Sequence, residues 1–304
     1  MRTASEVSAT ITERAKEAGV RVRLHAAEID GTRRFGVDEH APVVTASVFK
    51  VPIALELAKQ GAEGGLDLGE RITVPPGHPT PSPYGLATFR HEISMSWYDL
   101  AILMIGISDN VATDLILDRV GKESTEKTLR GLGFEHTTVS QDCGEVLGSI
   151  GEDLGISYED DERLLTELPM ERIASLRALQ PEHSCATTAE EITRLLGMIW
   201  RDEAASPTAC ADVRRWMELQ VWPHRLRSGF PDDGILVSGK TGTLPSVRNE
   251  VGVVEYPDGG RYAVGVFTDA IDARSRVPER DALIGFAAAQ AVEWLRLCAA
   301  RDGE

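Results

Sequence analysis

Alternating apolar and polar positions, the pattern of half-buried strands, are confined to the two ends of the chain. They occur at residues 20–26, 33–37, 235–238, 250–256 and 262–267. The pair Asp30-Gly31 and the run from Pro257 to Gly260 predict turns that join neighbouring strands into hairpins. Helical spacing at residues 3–18 precedes the first strands, and helical spacing at residues 280–300 follows the last. The pattern predicts a sheet built from both ends of the chain and flanked by helices.

Between these two regions the apolar spacing is mostly helical. The predicted helices cover residues 47–59, 96–107, 111–120, 187–200 and 206–220. Residues 66–90 are rich in glycine, proline and threonine and predict a loop, whereas residues 139–183 show no clear period in their first half. The acidic run at residues 159–162 is interpreted as a solvated surface. We predict an all-α domain at residues 45–186, inserted into a sheet domain made of residues 1–44 and 187–304.

Composition and charge exclude several classes of protein. The 304 residues are 42% hydrophobic and 26% charged, so the chain can bury a full core without disulfides or structural metals. The formal net charge of -16 opposes binding to the phosphates of nucleic acids. Apolar runs such as residues 100–107 are too short for a membrane span, and no secretory signal precedes the first predicted helix. We therefore expect a cytoplasmic protein, and the oligomeric state stays open.

The cysteines give no sign of a metal site. Cys143, Cys185, Cys210 and Cys298 are widely spaced, and no histidine stands at ligand spacing from them. We interpret them as reduced, partly buried thiols. No metal or other cofactor is expected.

Three short motifs carry candidate chemistry. Ser47 and Lys50 are three positions apart at the start of a predicted helix, so the hydroxyl and the amine share one helix face. A helix start also favours an oxyanion beside the serine. The run Ser108-Asp109-Asn110 lies between two predicted helices, and Lys240-Thr241-Gly242-Thr243 follows the apolar residues 235–237. Taken singly, each motif is also typical of a helix cap or a solvated lysine.

The scarcity of two residue types favours a chemical role for the three motifs together. Lysine occurs at six positions and asparagine at two, and two of those lysines and one asparagine lie within the motifs. S-x-x-K, S-D-N and K-T-G, in this order, form the motif set of class A β-lactamases and penicillin-binding proteins. The chain resembles the class A β-lactamases and their serine-hydrolase relatives over residues 45–57, 93–133 and 238–269.

The resemblance implies an α/β (α+β) fold of the class A β-lactamase and DD-peptidase type. In that fold an antiparallel sheet flanked by helices packs on an all-α domain, and the active site lies in the cleft between them. The resemblance further implies that Ser47 is the acylated nucleophile and Lys50 its activating partner. Ser108 would relay a proton to the leaving nitrogen, and Asn110 would hold Lys50 and the substrate amide.

The same resemblance implies a small-molecule substrate that carries a carboxylate. The residues that would bind the substrate are Lys240, Thr241, Gly242, Thr243 and Arg248. The backbone N–H groups of Ser47 and Thr243 would form the oxyanion hole. Electrostatics independently supports a basic Lys50, because burial and the nearby ammonium of Lys240 both lower a lysine pKa from its usual value of about 10.4.

The sequence departs from the family pattern after Ser108. Class A β-lactamases carry there a glutamate and, a few residues on, an asparagine that together hold the water for hydrolysis of the acyl-enzyme. This chain has no asparagine between residues 111 and 248. Glu145, Glu152 and Asp153 lie in the corresponding region, but none of them is followed by an asparagine at the family spacing. Residues 139–184 are also longer than is usual in the family, so we predict that this segment is rebuilt.

Three functions follow from intact acylation residues and a missing deacylation pair. The first is a serine hydrolase of an ester, amide or β-lactam, with weak penicillinase activity and another base, such as Lys50 itself, assisting deacylation. The second is an acyltransferase that passes the acyl group from Ser47 to an amine or alcohol. The third is a non-catalytic β-lactam sensor that stays acylated. A cytoplasmic location favours small-molecule metabolism for the first two.

Overall fold

The computed structural model describes residues 2–155, 168–271 and 277–302. Within these residues, a five-stranded antiparallel sheet is accompanied by two short strand pairs. The strands are β1 (Val20–Glu28), β2 (Arg34–Val37), β3 (Val43–Val44), β4 (Arg71–Val74), β5 (Ile93–Ser96), β6 (Ala186–Thr187), β7 (Leu236–Leu244), β8 (Val247–Glu255) and β9 (Arg261–Ala270). The large sheet has the order β2-β1-β9-β8-β7, which leaves β7 at one edge.

The described helices surround this sheet and form a second layer beside it. They are α1 (Ala4–Glu17), α2 (Lys50–Ala62), α3 (Trp97–Gly106), α4 (Asn110–Val120), α5 (Lys122–Gly131), α6 (Cys143–Leu154), α7 (Met170–Ala174), α8 (Ala189–Trp200), α9 (Pro207–Glu218) and α10 (Pro278–Asp302). A capping box starts α1, because Thr3 accepts from the backbone of Glu6 and the Glu6 side chain accepts from Thr3.

The sheet is built from both ends of the chain, as the alternating pattern predicts. β1 pairs with β9 from Val20 opposite Ala270 to Glu28 opposite Tyr262. Inward-facing residues of one sheet face, such as Leu24 and Val264, pack against α1 and α10. The other face packs against α8. Both faces are therefore buried, and the mixed α/β fold with an antiparallel sheet is confirmed.

The closing helix α10 is an exception to the expectation that the apolar runs of the chain are too short for a membrane span. By length and composition alone, Pro278–Ala299 is long and apolar enough to span a membrane. In the fold, however, Ile284, Ala291 and Leu295 are fully buried in the core under the sheet. The apolar character of α10 is explained by that packing.

Helix α2 is the central helix of the second layer. Nine consecutive residues from its start, Lys50 to Ala58, are buried, as is typical of a helix enclosed on all sides. Its neighbours are α3, α4, α5 and α9. The side chain of Lys50 is consequently held in the protein interior rather than in solvent.

Several local predictions were wrong, each for a structural reason. Residues 66–90 are not all loop, because β4 lies within them and pairs with β5. Residues 139–183, for whose first half the sequence shows no clear period and predicts no element, contain α6, which an Asp142 capping box starts. The helix predicted at residues 187–200 begins at Ala189 with Thr188 as its cap, because Thr187 pairs with Val43 between β6 and β3. The acidic run at 159–162 lies outside the described residues.

The predicted domain boundaries stay a prediction. The pairing of β3 with β6 brings together the two points at which the chain enters and leaves the predicted insertion. Helix α9 belongs by sequence to the predicted sheet domain, but it packs against α2 and α3 as well as against β7. The helical layer thus draws on residues outside 45–186.

Candidate active site

Ser47 lies in a tight turn rather than in the first turn of an α-helix. Ala46–Phe49 form a 3₁₀ turn, and α2 begins at Lys50. Ala46 has a φ of 46°, in the left-handed region that L-residues seldom adopt. Backbone strain of this kind persists only where neighbouring structure enforces it, and it is concentrated at functional sites.

The neighbouring structure that enforces the turn comes from the edge of the large sheet. A Cβ atom at Gly242 would lie 2.6 Å from the carbonyl oxygen of Thr45, so β7 approaches the turn as closely as only glycine permits. Asn249 on β8 is buried, and its Nδ2 donates to the carbonyl oxygens of Val44 at 3.0 Å and Thr45 at 3.2 Å. The turn that carries Ser47 is therefore fastened to two strands.

Two buried lysines meet at Ser108. Lys50 Nζ donates to the backbone oxygen of Ser108 at 2.8 Å, to its Oγ at 3.3 Å and to Asn110 Oδ1 at 2.8 Å. Lys240 Nζ donates to Ser108 Oγ at 2.9 Å and to the backbone oxygen of Thr241 at 2.8 Å. Both lysine side chains have no exposed surface. The three sequence motifs thus converge on one hydroxyl group.

Burial changes the protonation of both lysines. It lowers the pKa of Lys50, although the surrounding acidic groups, including Asp114 and Asp109, partly oppose the shift. Burial also lowers the pKa of Lys240 well below its usual value, and the adjacent Lys50 cation lowers it further. Two amines that share one oxygen in a desolvated site favour a state in which one of them is neutral. A neutral amine beside Ser47 can accept a proton.

The turn between α3 and α4 carries Ser108 and is hydrogen-bonded to the loop at residues 81–86. Ser108 itself has a φ of 63°. Asp109 caps α4 through Ala112 N, and its Oδ2 accepts from Leu86 N at 2.7 Å. Asn110 Nδ2 donates to the backbone oxygen of Pro81 at 2.9 Å. The run Ser108-Asp109-Asn110 therefore both supplies site groups and anchors the loop that carries Tyr84.

Two cavities adjoin Ser47. The larger, of about 230 Å³, is lined by Tyr84, Trp222, His224 and other residues that include Ser108 and Asn110. The rings of Tyr84 and Trp222 lie 5.6 Å apart, centroid to centroid. The smaller, of about 50 Å³, lies between the Ser47 turn and α6. The larger cavity has room for a small organic substrate beside Ser47.

The exposed edge of β7 provides donors on one side of the larger cavity. Thr241 N donates to Gln220 Oε1 at 2.6 Å and so points away from β8. Successive N–H groups of a strand point to opposite edges, so the N–H of Thr243 lies on the same edge as that of Thr241. Ser47 and Thr243 line both cavities. The two N–H groups predicted for an oxyanion hole therefore belong to residues that border one space.

A buried arginine that no sequence motif indicates lies beside Thr243. Arg225 Nη2 donates to Thr243 Oγ1 at 2.9 Å, and its Nη1 donates to Gly242 O at 2.9 Å. Its Nε forms an ion pair with Asp281 at 2.6 Å. Arg225 also lines the larger cavity. Because all of these partners are remote in sequence, no local pattern distinguishes this arginine from the others.

Arg248, predicted to bind substrate, is placed elsewhere. Its Nη1 donates to the backbone oxygens of Leu244 and Val247 at the β7–β8 turn. Arg248 lines neither of the two cavities described beside Ser47, whereas Arg225 lines the larger one. The structure thus brings together Ser47, Lys50, Ser108, Asn110, Lys240, Thr241, Gly242 and Thr243, with Arg225 as a further residue at the larger cavity. A role of Arg248 in binding substrate stays a prediction.

The acids considered as a deacylation base are paired with basic residues and line neither cavity beside Ser47. Glu145 pairs with Lys122 and accepts from Asp142 N as part of a cap. Glu152 and Asp153 both pair with Arg177. The described residues that line the two cavities include no aspartate or glutamate.

Helix α6 contributes a thiol and aliphatic side chains to the smaller cavity. Cys143 and Leu147, one turn apart on α6, line the smaller cavity. Burial raises the pKa of the Cys143 thiol to about 12, so the thiol is neutral near pH 7 and is not a general base. Leu147 lines the larger cavity as well. Among the described residues of 139–184, the groups that line the cavities beside Ser47 are therefore a thiol, aliphatic side chains and the Ser184 hydroxyl.

Metal chemistry has no support in the part of the chain that the structure describes. No group of three or more histidine, cysteine, aspartate or glutamate side chains could hold a metal ion there. All four cysteines are free thiols, and Cys298 is the least buried of them.

Comparison with known proteins agrees with this geometry. The model of the "Beta-lactamase enzyme family" matches residues 4–295. The "Beta-lactamase regulatory protein BlaB" of Streptomyces cacaoi is 30% identical over 279 residues, which cover 86% of this chain and 88% of that protein. Among solved structures, a β-lactamase from Sphaerobacter thermophilus has a TM-score of 0.77 at 23% identity and covers 97% of this chain and 99% of its own. The protein PBP-A has a TM-score of 0.76 at 20% identity, with coverage of 97% and 98%. The chain therefore belongs to the β-lactamase enzyme family and is a β-lactamase-like serine hydrolase that acts on small molecules.

Proposed function

We propose that Ser47 is acylated by carboxylate-bearing esters, amides or β-lactams and that the acyl group leaves slowly. The observation that carries this proposal is the contrast between the two sides of Ser47. On one side, Lys50, Ser108 and Lys240 form a connected set of proton carriers. On the other side, the lining of the two cavities includes no carboxylate among residues 2–155, 168–271 and 277–302. Acylation has its proton carriers, whereas the described part of the chain places no carboxylate base in the cavities beside Ser47.

The hydrogen bonds among Lys50, Ser108 and Lys240 support the following course of acylation. Ser47 Oγ attacks the substrate carbonyl and gives its proton to neutral Lys50. The N–H groups of Ser47 and Thr243 would donate to the oxyanion that forms. When the carbon–leaving-group bond breaks, Ser108 Oγ gives its proton to the leaving atom and takes one back from Lys50 or Lys240. The acyl group is then held as an ester of Ser47.

The preference for an anionic substrate rests on the charges around β7. Arg225 is a buried cation, Lys240 supplies a buried amine, and the hydroxyls of Thr241 and Thr243 border the same cavity. The net charge of the whole protein is -16, so this positive region lies in an otherwise acidic molecule. A carboxylate in the cavity would accept hydrogen bonds from these groups and offset the cost of their burial.

A sensor of β-lactams is the second candidate function. It is favoured by the similarity to a protein named as a regulator of β-lactamase, together with the absence of acids among the described residues that line the cavities. A single-residue variant of PBP-A was solved as an acyl-enzyme complex with penicillin G, so a protein of this fold can be trapped in the acylated state. A sensor differs from a slow hydrolase only in how long Ser47 stays acylated.

Time-resolved mass spectrometry of the intact protein tests the proposal. Wild-type protein and Ser47→Ala are each exposed to penicillin G and to a short-chain aryl ester, with and without an added amine. We expect a single adduct per wild-type chain and none on Ser47→Ala. A lasting penicillin adduct supports the sensor, slow loss in water supports the hydrolase, and loss only with the amine supports acyl transfer. Absence of any adduct would contradict acylation at Ser47.

A further inference from the structure

A buried carboxylate behind the β7 edge ties together two segments that border the site. Glu250 lies on β8 opposite Thr241 and is 1% exposed. Its Oε1 accepts from Gln220 Nε2 at 2.6 Å, and its Oε2 accepts from Leu226 N at 2.6 Å. Leu226 directly follows Arg225, so this carboxylate holds the backbone of the segment that carries the buried arginine.

Gln220 extends the connection to the edge strand. While its Nε2 donates to Glu250, its Oε1 accepts from Thr241 N at 2.6 Å. A Cβ atom at Gly239 would lie 2.8 Å from Glu250 Oε1 and 2.9 Å from Gln220 Nε2. Only a glycine therefore leaves room for the two side chains to meet behind β7.

The charged groups around Glu250 lie on three sides. Lys240 on β7 and Arg225 act on it from within the protein, and burial raises its pKa to about 7 despite both cations. On the outer side, a cavity of about 300 Å³ reaches Glu250 and is also lined by Glu218, Arg227 and Asp233. Burial of a carboxyl group is costly, so a group retained here must be held by its hydrogen bonds.

We propose that Glu250 and Gln220 are positioning residues that set the spacing between the Thr241–Thr243 edge and Arg225, and thereby the affinity for the substrate carboxylate. This proposal rests on the proposed function. Neither residue lines the larger cavity beside Ser47, so each acts through the groups that it holds. Glu250 fixes the Arg225 segment through Leu226 N, and Gln220 fixes β7 through Thr241 N.

The hydrogen-bond pattern provides a specific rescue experiment. In Glu250→Gln, the new amide has one oxygen for the two donors Gln220 Nε2 and Leu226 N. Either this oxygen accepts from both donors, or the new amide N–H group faces one of them. One buried hydrogen bond is lost in either case. In the double variant Glu250→Gln with Gln220→Glu, every bond has a partner again. Thr241 N and the new amide nitrogen at position 250 then donate to the carboxylate at position 220, and Leu226 N donates to the remaining amide oxygen. The swap keeps the geometry and moves the charge.

The experiment compares the wild type, the single variant, the swap and the control Glu218→Gln. Glu218 lines the same outer cavity but is paired with Arg215. We measure the rate of adduct formation on Ser47 with penicillin G and with an uncharged aryl ester, and the hydrogen exchange of the amides of Thr241 and Leu226. Circular dichroism and thermal unfolding check that each variant is folded.

We expect Glu250→Gln to lower the acylation efficiency with penicillin G by about 10-fold, as is typical when one buried hydrogen bond is lost. The acylation efficiency with the uncharged ester should fall by less than about 3-fold, because this ester has no carboxylate to bind. The swap should restore the penicillin rate to within about 3-fold of the wild type, and the control should change neither rate. Amide exchange at Thr241 or Leu226 should become faster in the single variant and return in the swap.

Two results would overturn the proposal. One is a single variant with unchanged rates and unchanged exchange. The other is an equal loss with both probes that the swap does not repair, since a merely structural role predicts it. If neither probe acylates the wild type, the proposed function fails separately. The amide exchange then decides whether the Glu250–Gln220 pair positions β7.

Discussion

Lys240 Nζ donates to Ser108 Oγ across 2.9 Å, although the two residues are 132 positions apart in the chain. The same oxygen lies 3.3 Å from Lys50 Nζ. One hydroxyl therefore joins two buried amines, of which Lys50 lies next to the Ser47 turn and Lys240 on the edge strand β7. The two lysines should have different functions despite identical chemistry.

Substitution of each lysine by alanine tests this difference. Lys50→Ala should slow acylation of every substrate by about 10²–10⁴-fold, because the proton acceptor for Ser47 is lost. Lys240→Ala should chiefly raise KM, by about 10-fold for carboxylate-bearing substrates, because an ion-paired anchor is lost. The measurement is kcat and KM with a charged and an uncharged ester. Equal losses on both esters in the Lys240 variant would contradict the assignment.

Substitution of Arg225 and substitution of Arg248 should have different effects on KM for a carboxylate substrate. Arg225→Lys keeps the charge but cannot reach Thr243, Gly242 and Asp281 together, so KM for a carboxylate substrate should rise by about 10-fold. Arg248→Lys serves as the matched control and should change KM by less than about 2-fold, as expected outside the site. Thermal unfolding of both variants separates binding from stability. A larger effect at Arg248 than at Arg225 would show that the arginine assignment is wrong.

Leu147 is the position at which a carboxylate should restore deacylation. It lines both cavities beside Ser47 and is 9% exposed. Leu147→Glu should accelerate loss of the penicillin adduct by about 10²–10⁴-fold, the usual contribution of a general base. Leu147→Gln has the same shape without the base and should leave the adduct lifetime near that of the wild type. Stopped-flow acylation followed by mass spectrometry measures the two lifetimes, and equal values would exclude a general-base effect.

His25 should make the folded state sensitive to mild acid. It is buried on β1 beside Thr193, and burial lowers its pKa to about 4 from 6.5. Because the unfolded chain binds more protons than the folded one between these values, stability should fall as the pH drops from 6.5 to about 4. The loss should approach about 3 kcal/mol. Urea unfolding of the wild type and His25→Gln at several pH values measures it. His40→Gln, an exposed histidine, is the control, and a pH profile of His25→Gln that matches the wild type would contradict this prediction.

Much of the fold and the central site residues could be predicted from the sequence because their signals are local. Strand alternation identified both partners of the β1–β9 pair, and the three motifs identified Ser47, Lys50, Ser108 and Lys240. By contrast, the turn at Ser47 has the apolar spacing of a helix. Contacts from Gly242 and Asn249, remote in sequence, give it a 3₁₀ geometry instead.

The supporting residues could not be predicted because their roles arise from tertiary contacts. Arg225, Gln220 and Glu250 lie in unrelated segments without a motif, and their hydrogen bonds connect β7, β8 and the chain before residue 226. The place of Arg248 was predicted by resemblance, but its guanidinium is bonded to carbonyl oxygens of its own turn. The residue type and its neighbours in the sequence do not show which of Arg225 and Arg248 lines the cavity.

Acylation of Ser47 without efficient hydrolysis is best measured as the lifetime of the penicillin adduct, mapped to a peptide. The protein is acylated with penicillin G, transferred to buffer without the drug, and digested at intervals to follow the peptide that contains Ser47. We predict one adduct, on Ser47, that persists for many minutes and is absent from Ser47→Ala. An adduct on another residue, or steady hydrolysis of penicillin on the order of 10² per second, would contradict this prediction.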